Sequence, residues 1–315
     1  METEKVAKLI KNIGNVIRGK NKAVEAAVLC FLSDGHLLIE DLPGIGKTML
    51  AKSIARSVKG KFKRIQFTPD LLPSDITGVS IYDQGEKDFR FIEGPIFANI
   101  ILADEINRTT PRTQSALLEA MDEHNVTIDG VTHALPEPFF VMATQNPLEY
   151  HGTYPLPEGQ LDRFLISINL GYPDEKAELI ILQDQKIEHP INKIKPVIDV
   201  SDVQEIKARI KQVFIEKELE SYILNIVRAT RTKEEIIIGA SPRATLGLSR
   251  ISQAEAFLEG RDYVIPDDIK KYALFVLSHR LIFKPQYRLQ REARNEVVQK
   301  LISGIPVPVG LEKND

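Results

Sequence analysis

Eight residues, Asp41-Leu42-Pro43-Gly44-Ile45-Gly46-Lys47-Thr48, join two stretches whose hydrophobic periods differ. Before them, after the break at Asp34-Gly35, His36 to Glu40 is a short apolar run with the length of a buried strand. After them, Lys47 to Val58 carries Met49, Leu50, Ile54 and Val58 at helical spacing, so that they can share a face. A strand that feeds a helix through a glycine-bearing loop belongs to a parallel sheet, because only a crossover helix returns the chain to the same edge. The runs Arg64 to Phe67, Asn99 to Ala103, Pro138 to Met142 and Phe164 to Leu170 repeat the strand texture, and helix-like stretches such as Thr113 to Met121 lie between them. The pattern predicts an α/β fold, an αβα domain with a mainly parallel sheet covered on both faces.

From about Pro173 the strand signals fade. Amphipathic segments follow at 174–185, 201–213, 216–230, 242–259, 266–278 and 291–302, which predicts a small all-helical second domain. The two prolines of His189 to Asp199 mark the junction, and the boundaries are set at 1–189 and 190–315. The single cysteine, Cys30, has no internal partner and reads as core, in keeping with a reducing cytoplasmic setting. No apolar run approaches the roughly 18 residues that cross a bilayer, so membrane insertion is not expected. A net charge of −3 argues against the broad basic surface of a nucleic-acid binder.

The loop has a chemistry of its own and resembles a phosphate-binding P-loop. Gly44 and Gly46 let backbone N–H groups turn toward an anion, and the following helix adds the positive end of its dipole. Lys47 can reach β- and γ-phosphates, and the Thr48 hydroxyl can hold Mg²⁺. Pro43, Gly44, Ile45, Gly46, Lys47, Thr48 and Met49 are the candidate nucleotide-binding residues. Asp41 stands where the usual pattern has its first glycine, so this position should not need a positive φ. The apolar run ending at Ala103 stops on Asp104 and Glu105, whose side chains point to opposite faces: Asp104 is assigned to the metal, through water, and Glu105 to polarising an attacking water. Phe139 to Met142 runs into Asn146, whose amide can orient that water. Arg163 and Arg243 are candidates for stabilising the charge of a transferring phosphoryl group.

Several longer stretches make the resemblance specific. They are Glu40 to Thr48 (EDLPGIGKT), Gly94 to Arg108 (GPIFANIILADEINR), Thr113 to Met121 (TQSALLEAM) and Ala143 to Phe164 (ATQNPLEYHGTYPLPEGQLDRF). On these the chain resembles the MoxR group of AAA+ ATPases along nearly its whole length. The resemblance implies that Lys47 and Thr48 are Walker A, Asp104 and Glu105 Walker B, Asn146 sensor 1, Arg163 the arginine finger and Arg243 sensor 2. It implies ATP and Mg²⁺ as ligands and a homo-oligomeric ring, expected to be hexameric. It also implies chaperone-like remodelling or maturation of partner proteins, including partners with a von Willebrand factor A domain, and two insertions, near 74–93 and 125–135, facing the ring pore or surface. Whether Arg243 serves its own site or a neighbour's stays open on sequence. Thr109-Thr110, Arg112 and His151 depart from the group's pattern beside the Walker B and sensor 1 segments. Two other readings remain at this stage, a nucleotide-gated scaffold with little turnover and a DNA-remodelling AAA+ protein. Intact Glu105 and Arg163 argue against the first, and the acidic balance argues against the second.

Overall fold

The structure is a computed structural model that describes residues 2–85, 87–146, 153–184, 186, 188–288 and 290–308. Residues 147–152 of the Ala143 to Phe164 stretch, His151 among them, lie outside the described residues. The first part runs α1 (Glu2–Gly14), α2 (Asn21–Leu32), β1 (Leu37–Glu40), α3 (Lys47–Ser57), β2 (Phe62–Gln66), α4 (Pro73–Thr77), β3 (Gly78–Asp83) and β4 (Asp88–Glu93). It continues through β5 (Ile100–Asp104), α5 (Pro111–Glu123), β6 (Asn125–Ile128), β7 (Val131–Ala134), β8 (Phe140–Gln145), α6 (Glu158–Leu161), β9 (Ile166–Ile168) and α7 (Glu175–Asp184). Then come α8 (Val200–Ile210), α9 (Lys217–Ala229), β10 (Ile236–Ile238), α10 (Pro242–Leu258), α11 (Pro266–Leu277), β11 (Ile282–Phe283), α12 (Pro285–Arg288) and α13 (Arg291–Gly304).

Five strands form one sheet in the order β2-β5-β8-β1-β9, and every neighbouring pair is parallel. The two-residue alternation of a strand divides its side chains between two apolar layers. Leu37, Ile39, Ile100, Leu102, Phe140 and Met142 enter the layer covered by α1, α2 and α3. Leu38, Ile101, Ala103, Val141 and Ala143 enter the layer covered by α4 and α5 through Ile76, Leu117, Leu118 and Met121. The predicted αβα architecture is therefore present, and Cys30 lies fully buried inside the first layer.

The first layer does not end with the sheet. Val203 and Ile206 of α8, Ile223 of α9, Leu248 of α10 and Ile269 of α11 belong to the same apolar cluster as Phe31 of α2. Local signals start these helices: Asp199 caps α8, its Oδ1 accepting the Asp202 N–H at 3.0 Å while Asp202 Oδ2 accepts the Asp199 N–H at 3.0 Å. Ser241 caps α10, with Pro242 at its first position. The helical part also holds a short antiparallel ribbon, β10 with β11, so it is not purely helical; strands of three and two residues are too short to show a period in sequence. Two further hairpins leave the sheet region, β3 with β4 and β6 with β7. The second turns at Asp129 and Gly130, both at positive φ, 50° and 81°. No helix among the described residues is long and apolar enough to cross a membrane.

Candidate active site

The carboxyl ends of parallel strands leave a crevice where ligands of α/β sheets bind, and the loop after β1 opens into it. Gly44 and Gly46 take φ of 83° and 98°, values that an L side chain resists. A Cβ at Gly44 would meet nothing within 4 Å, so the loop's backbone faces open space. Gly46 is the N-cap of α3, and the Lys47 side chain is buried, its Nζ donating to the Asp41 carbonyl at 3.0 Å. Asp41 has no positive φ, as expected, but it has a role the sequence did not reveal. Its Oδ2 accepts the N–H groups of Leu170 at 2.6 Å and Gly171 at 2.7 Å, and its Oδ1 accepts the Leu42 N–H at 3.0 Å. The first residue of the loop thus clamps the chain leaving β9. Beside the loop, Ile17, Met49 and Ile181 line a cleft closed on one side by the Arg18 to Asp184 ion pair at 3.0 Å.

The strand that ends in two carboxylates behaves unusually at its last residue. Asp104 keeps the strand conformation, whereas Glu105 switches to φ 58°, ψ 50°, so the chain turns sharply after β5. Thr144 on the neighbouring strand β8 serves both residues: its Oγ1 donates to Asp104 Oδ1 at 2.7 Å and accepts the Glu105 N–H at 2.9 Å. Arg64 of β2 donates to Asp104 Oδ2 from Nη2 at 2.6 Å and Nε at 3.1 Å. Glu105 Oε2 accepts from Gln66 Nε2 at 2.8 Å and from Arg108 Nη1 at 3.0 Å. Asn146, one residue beyond β8, is buried at the same edge. Lys47, Thr48, Asp104, Glu105 and Asn146 are therefore gathered at one end of the sheet. A buried amine, a hydroxyl and two carboxylates beside an open glycine loop suit a nucleotide's phosphates and a hard divalent cation.

Arg163 and Arg243 are not there. Arg163 precedes β9, and the Leu165 N–H donates to the His36 carbonyl at 2.8 Å, which puts this segment at the entry edge of the sheet, beside the start of β1. Arg163 and Arg243 line one cleft there with Asp34, His36 and Asp122. The four residues of β1 separate that edge from the loop by about 13 Å at roughly 3.3 Å per residue. Both arginines reach Asp122 Oδ2, from Arg163 Nη1 at 3.3 Å and Arg243 Nη2 at 3.2 Å. Sequence reasoning missed Asp122, Thr144, Arg64 and Gln66. The side chains of Thr144, Arg64 and Gln66 act across strands, and only the pairing order places them.

Residues 36–166 match the family described as ATPase family associated with various cellular activities (AAA), and residues 228–301 match the AAA lid domain. The uncharacterised protein YeaC of Bacillus subtilis is 48% identical over 96% of this chain and 95% of its own length. The chaperone MoxR1 of Mycobacterium tuberculosis is 40% identical over 98% of this chain and 83% of its own. A crystal structure of a protein from Cytophaga hutchinsonii, assigned as an ATPase, superposes with a TM-score of 0.88 at 38% identity, covering 98% of this chain and 96% of that one.

Proposed function

The chain belongs to the MoxR family of AAA+ ATPases, and on that premise we propose that it hydrolyses ATP with Mg²⁺ at sites shared between neighbouring copies in a ring, expected to be hexameric. The observation that carries this reading is the separation of the site's two halves. Phosphate-binding and water-activating groups lie at the exit edge of the sheet, while Arg163 and Arg243 lie together at the entry edge of the same subunit. Two arginines about a strand's length from their own loop are better placed to act on a neighbour's phosphates than on their own. Arg243 then works in trans along with Arg163.

In this reading the N–H groups of Gly44 to Thr48 and the Lys47 amine hold the β- and γ-phosphates. Thr48 would hold Mg²⁺ through its hydroxyl, and Asp104, both of whose oxygens are engaged by Thr144 and Arg64, would help hold it through water. Magnesium, when bound, neutralises charge on the terminal phosphate. Glu105 accepts a proton from the attacking water and Asn146 orients that water, while the neighbour's arginines stabilise the charge that spreads over the phosphoryl oxygens. In this proposal the lid is taken from residue 190 onward and carries Arg243 in the first turn of α10. Work on a client protein, of the chaperone kind that the name MoxR1 states for its relative, fits a ring whose β3–β4 hairpin exposes Ile81, Tyr82 and Phe89. A partner with a von Willebrand factor A domain is part of this proposal on family grounds. ATP turnover per protomer should rise with protein concentration, and Arg163→Ala should abolish it while ATP still binds. Turnover that is independent of concentration and insensitive to Arg163→Ala overturns the shared site.

A further inference from the structure

Three elements converge on Asp122. Arg163 comes from the segment before β9, Arg243 from the first turn of α10 and Asp122 itself from the last turn of α5. A carboxylate in a helix's last turn faces the negative end of the dipole, so this one is stabilised chiefly by the cations that reach it. Both guanidinium groups address the same oxygen, Oδ2, at 3.3 and 3.2 Å. Two like charges drawn to one point repel each other unless an anion stands between them.

The backbone beneath the arginines is already fixed. Asp162 Oδ2 accepts from Ser241 Oγ at 2.6 Å, and its Oδ1 accepts from Arg280 Nε at 2.8 Å. Arg280 is buried and also donates to the carbonyls of Leu165 at 2.9 Å, Asp162 at 3.2 Å and Phe164 at 2.5 Å. Residue 162 is thereby tied to residue 241, one step from Arg163 and two from Arg243. The freedom that remains belongs to the two long side chains, and Asp122 removes it. Side-chain exposures of 29% for Arg163, 48% for Arg243 and 28% for Asp122 mean that an incoming anion can reach the group without opening the fold.

Resting on the shared-site reading above, we propose that Asp122 is a positioning residue: it gathers Arg163 and Arg243 onto one point, where the terminal phosphate of a neighbour's nucleotide then takes its place. A guanidinium fork donates to carboxylate and phosphate oxygens with the same geometry, and the phosphate carries more charge, so the exchange runs toward the nucleotide. Asp122 touches no substrate. Its effect is on the rate with which a neighbour's site turns over and not on how that site holds ATP.

The test uses the full chain with Mg²⁺-ATP at concentrations where turnover per protomer has reached its plateau. Asp122→Asn should lower kcat about tenfold, the loss of one charge-assisted contact, with KM and ATP binding unchanged. Asp122→Glu, which keeps the charge, should recover most of the rate. Mixing then separates the two ideas. Glu105→Gln subunits cannot activate water but still lend arginines, so mixed with Arg163→Ala subunits they should restore turnover, and mixed with Asp122→Asn subunits they should do the same. Restoration in both mixtures supports the proposal. Restoration with Arg163→Ala alone, wild-type turnover in Asp122→Asn, or a rise in KM that accounts for its whole defect overturns the positioning role and leaves the shared site standing. Restoration in neither mixture overturns both.

Discussion

Thr144 Oγ1 lies 2.7 Å from Asp104 Oδ1 and 2.9 Å from the Glu105 backbone nitrogen, so one hydroxyl on β8 fixes the orientation of both acidic residues at the end of β5. Glu105 adopts a left-handed conformation that a glutamate takes only when its surroundings enforce it, and the hydroxyl's acceptance of its N–H is part of that enforcement. Thr144→Val preserves shape and removes both bonds. Turnover should fall about tenfold to a hundredfold, with ATP binding kept. Steady-state ATPase measurements beside equilibrium nucleotide binding check this, and a matching loss of binding contradicts it.

Asp41 supplies the second prediction. Replacing it with alanine leaves the N–H groups of Leu170 and Gly171 without their acceptor in a buried setting. The expected cost is about 2 kcal/mol of folding stability, read as a lower urea midpoint at unchanged slope. Nucleotide affinity should fall as well, because the carbonyl that positions Lys47 belongs to the same residue.

Acid should weaken the fold through two buried imidazoles. His36 Nδ1 accepts the Val141 N–H at 3.1 Å and its Nε2 donates to the Met121 carbonyl at 3.1 Å, an arrangement that only the neutral ring can make. Burial lowers its pKa from 6.5 to about 4, and burial likewise holds His279, bonded to the Phe164 carbonyl, well below its ordinary value. With the folded pKa depressed, the unfolded chain takes up protons that the folded chain refuses. Stability is therefore full above about pH 6.5 and is lost as pH falls toward 4, by on the order of 3 kcal/mol for His36. Chemical denaturation between pH 7.5 and 4 (about one point per half unit) checks the slope, and His36→Gln should flatten it. A stability that does not change over that interval contradicts the assignment.

Gly78, where α4 hands over to β3, has φ 99°, and a Cβ there would lie 2.2 Å from the Ile92 carbonyl oxygen and 2.6 Å from the Gly94 nitrogen. Neither backbone atom can move without unpairing the base of the hairpin. Gly78→Ala should cost about 2 kcal/mol or more locally and open residues 79–92 to limited proteolysis, with a smaller change in global melting.

The sequence shows the exit edge well. A glycine loop between strand and helix, and an apolar run ending in Asp104 and Glu105, are local patterns, and local patterns survive in one dimension. Strand and helix limits also fall close to expectation, as at Lys47–Ser57 and Arg291–Gly304, because burial imposes its period on the sequence. What the sequence leaves out is contact across strands. Nothing near Thr144 announces Asp104, and nothing near Asp122 announces Arg243, 121 positions away. The amphipathic α1 enters none of the expectations drawn from sequence, although Val6, Leu9 and Ile13 bury one face of it against the core.

That core is shared, since α2 and the sheet above it bury their apolar groups against α8 to α11 in one continuous cluster. The two parts consequently melt as a single cooperative unit, and calorimetry of the intact chain has one transition to find where the order of elements suggests two. A fragment ending at residue 189 carries away only half of a joint surface and leaves Phe31 and its neighbours facing water.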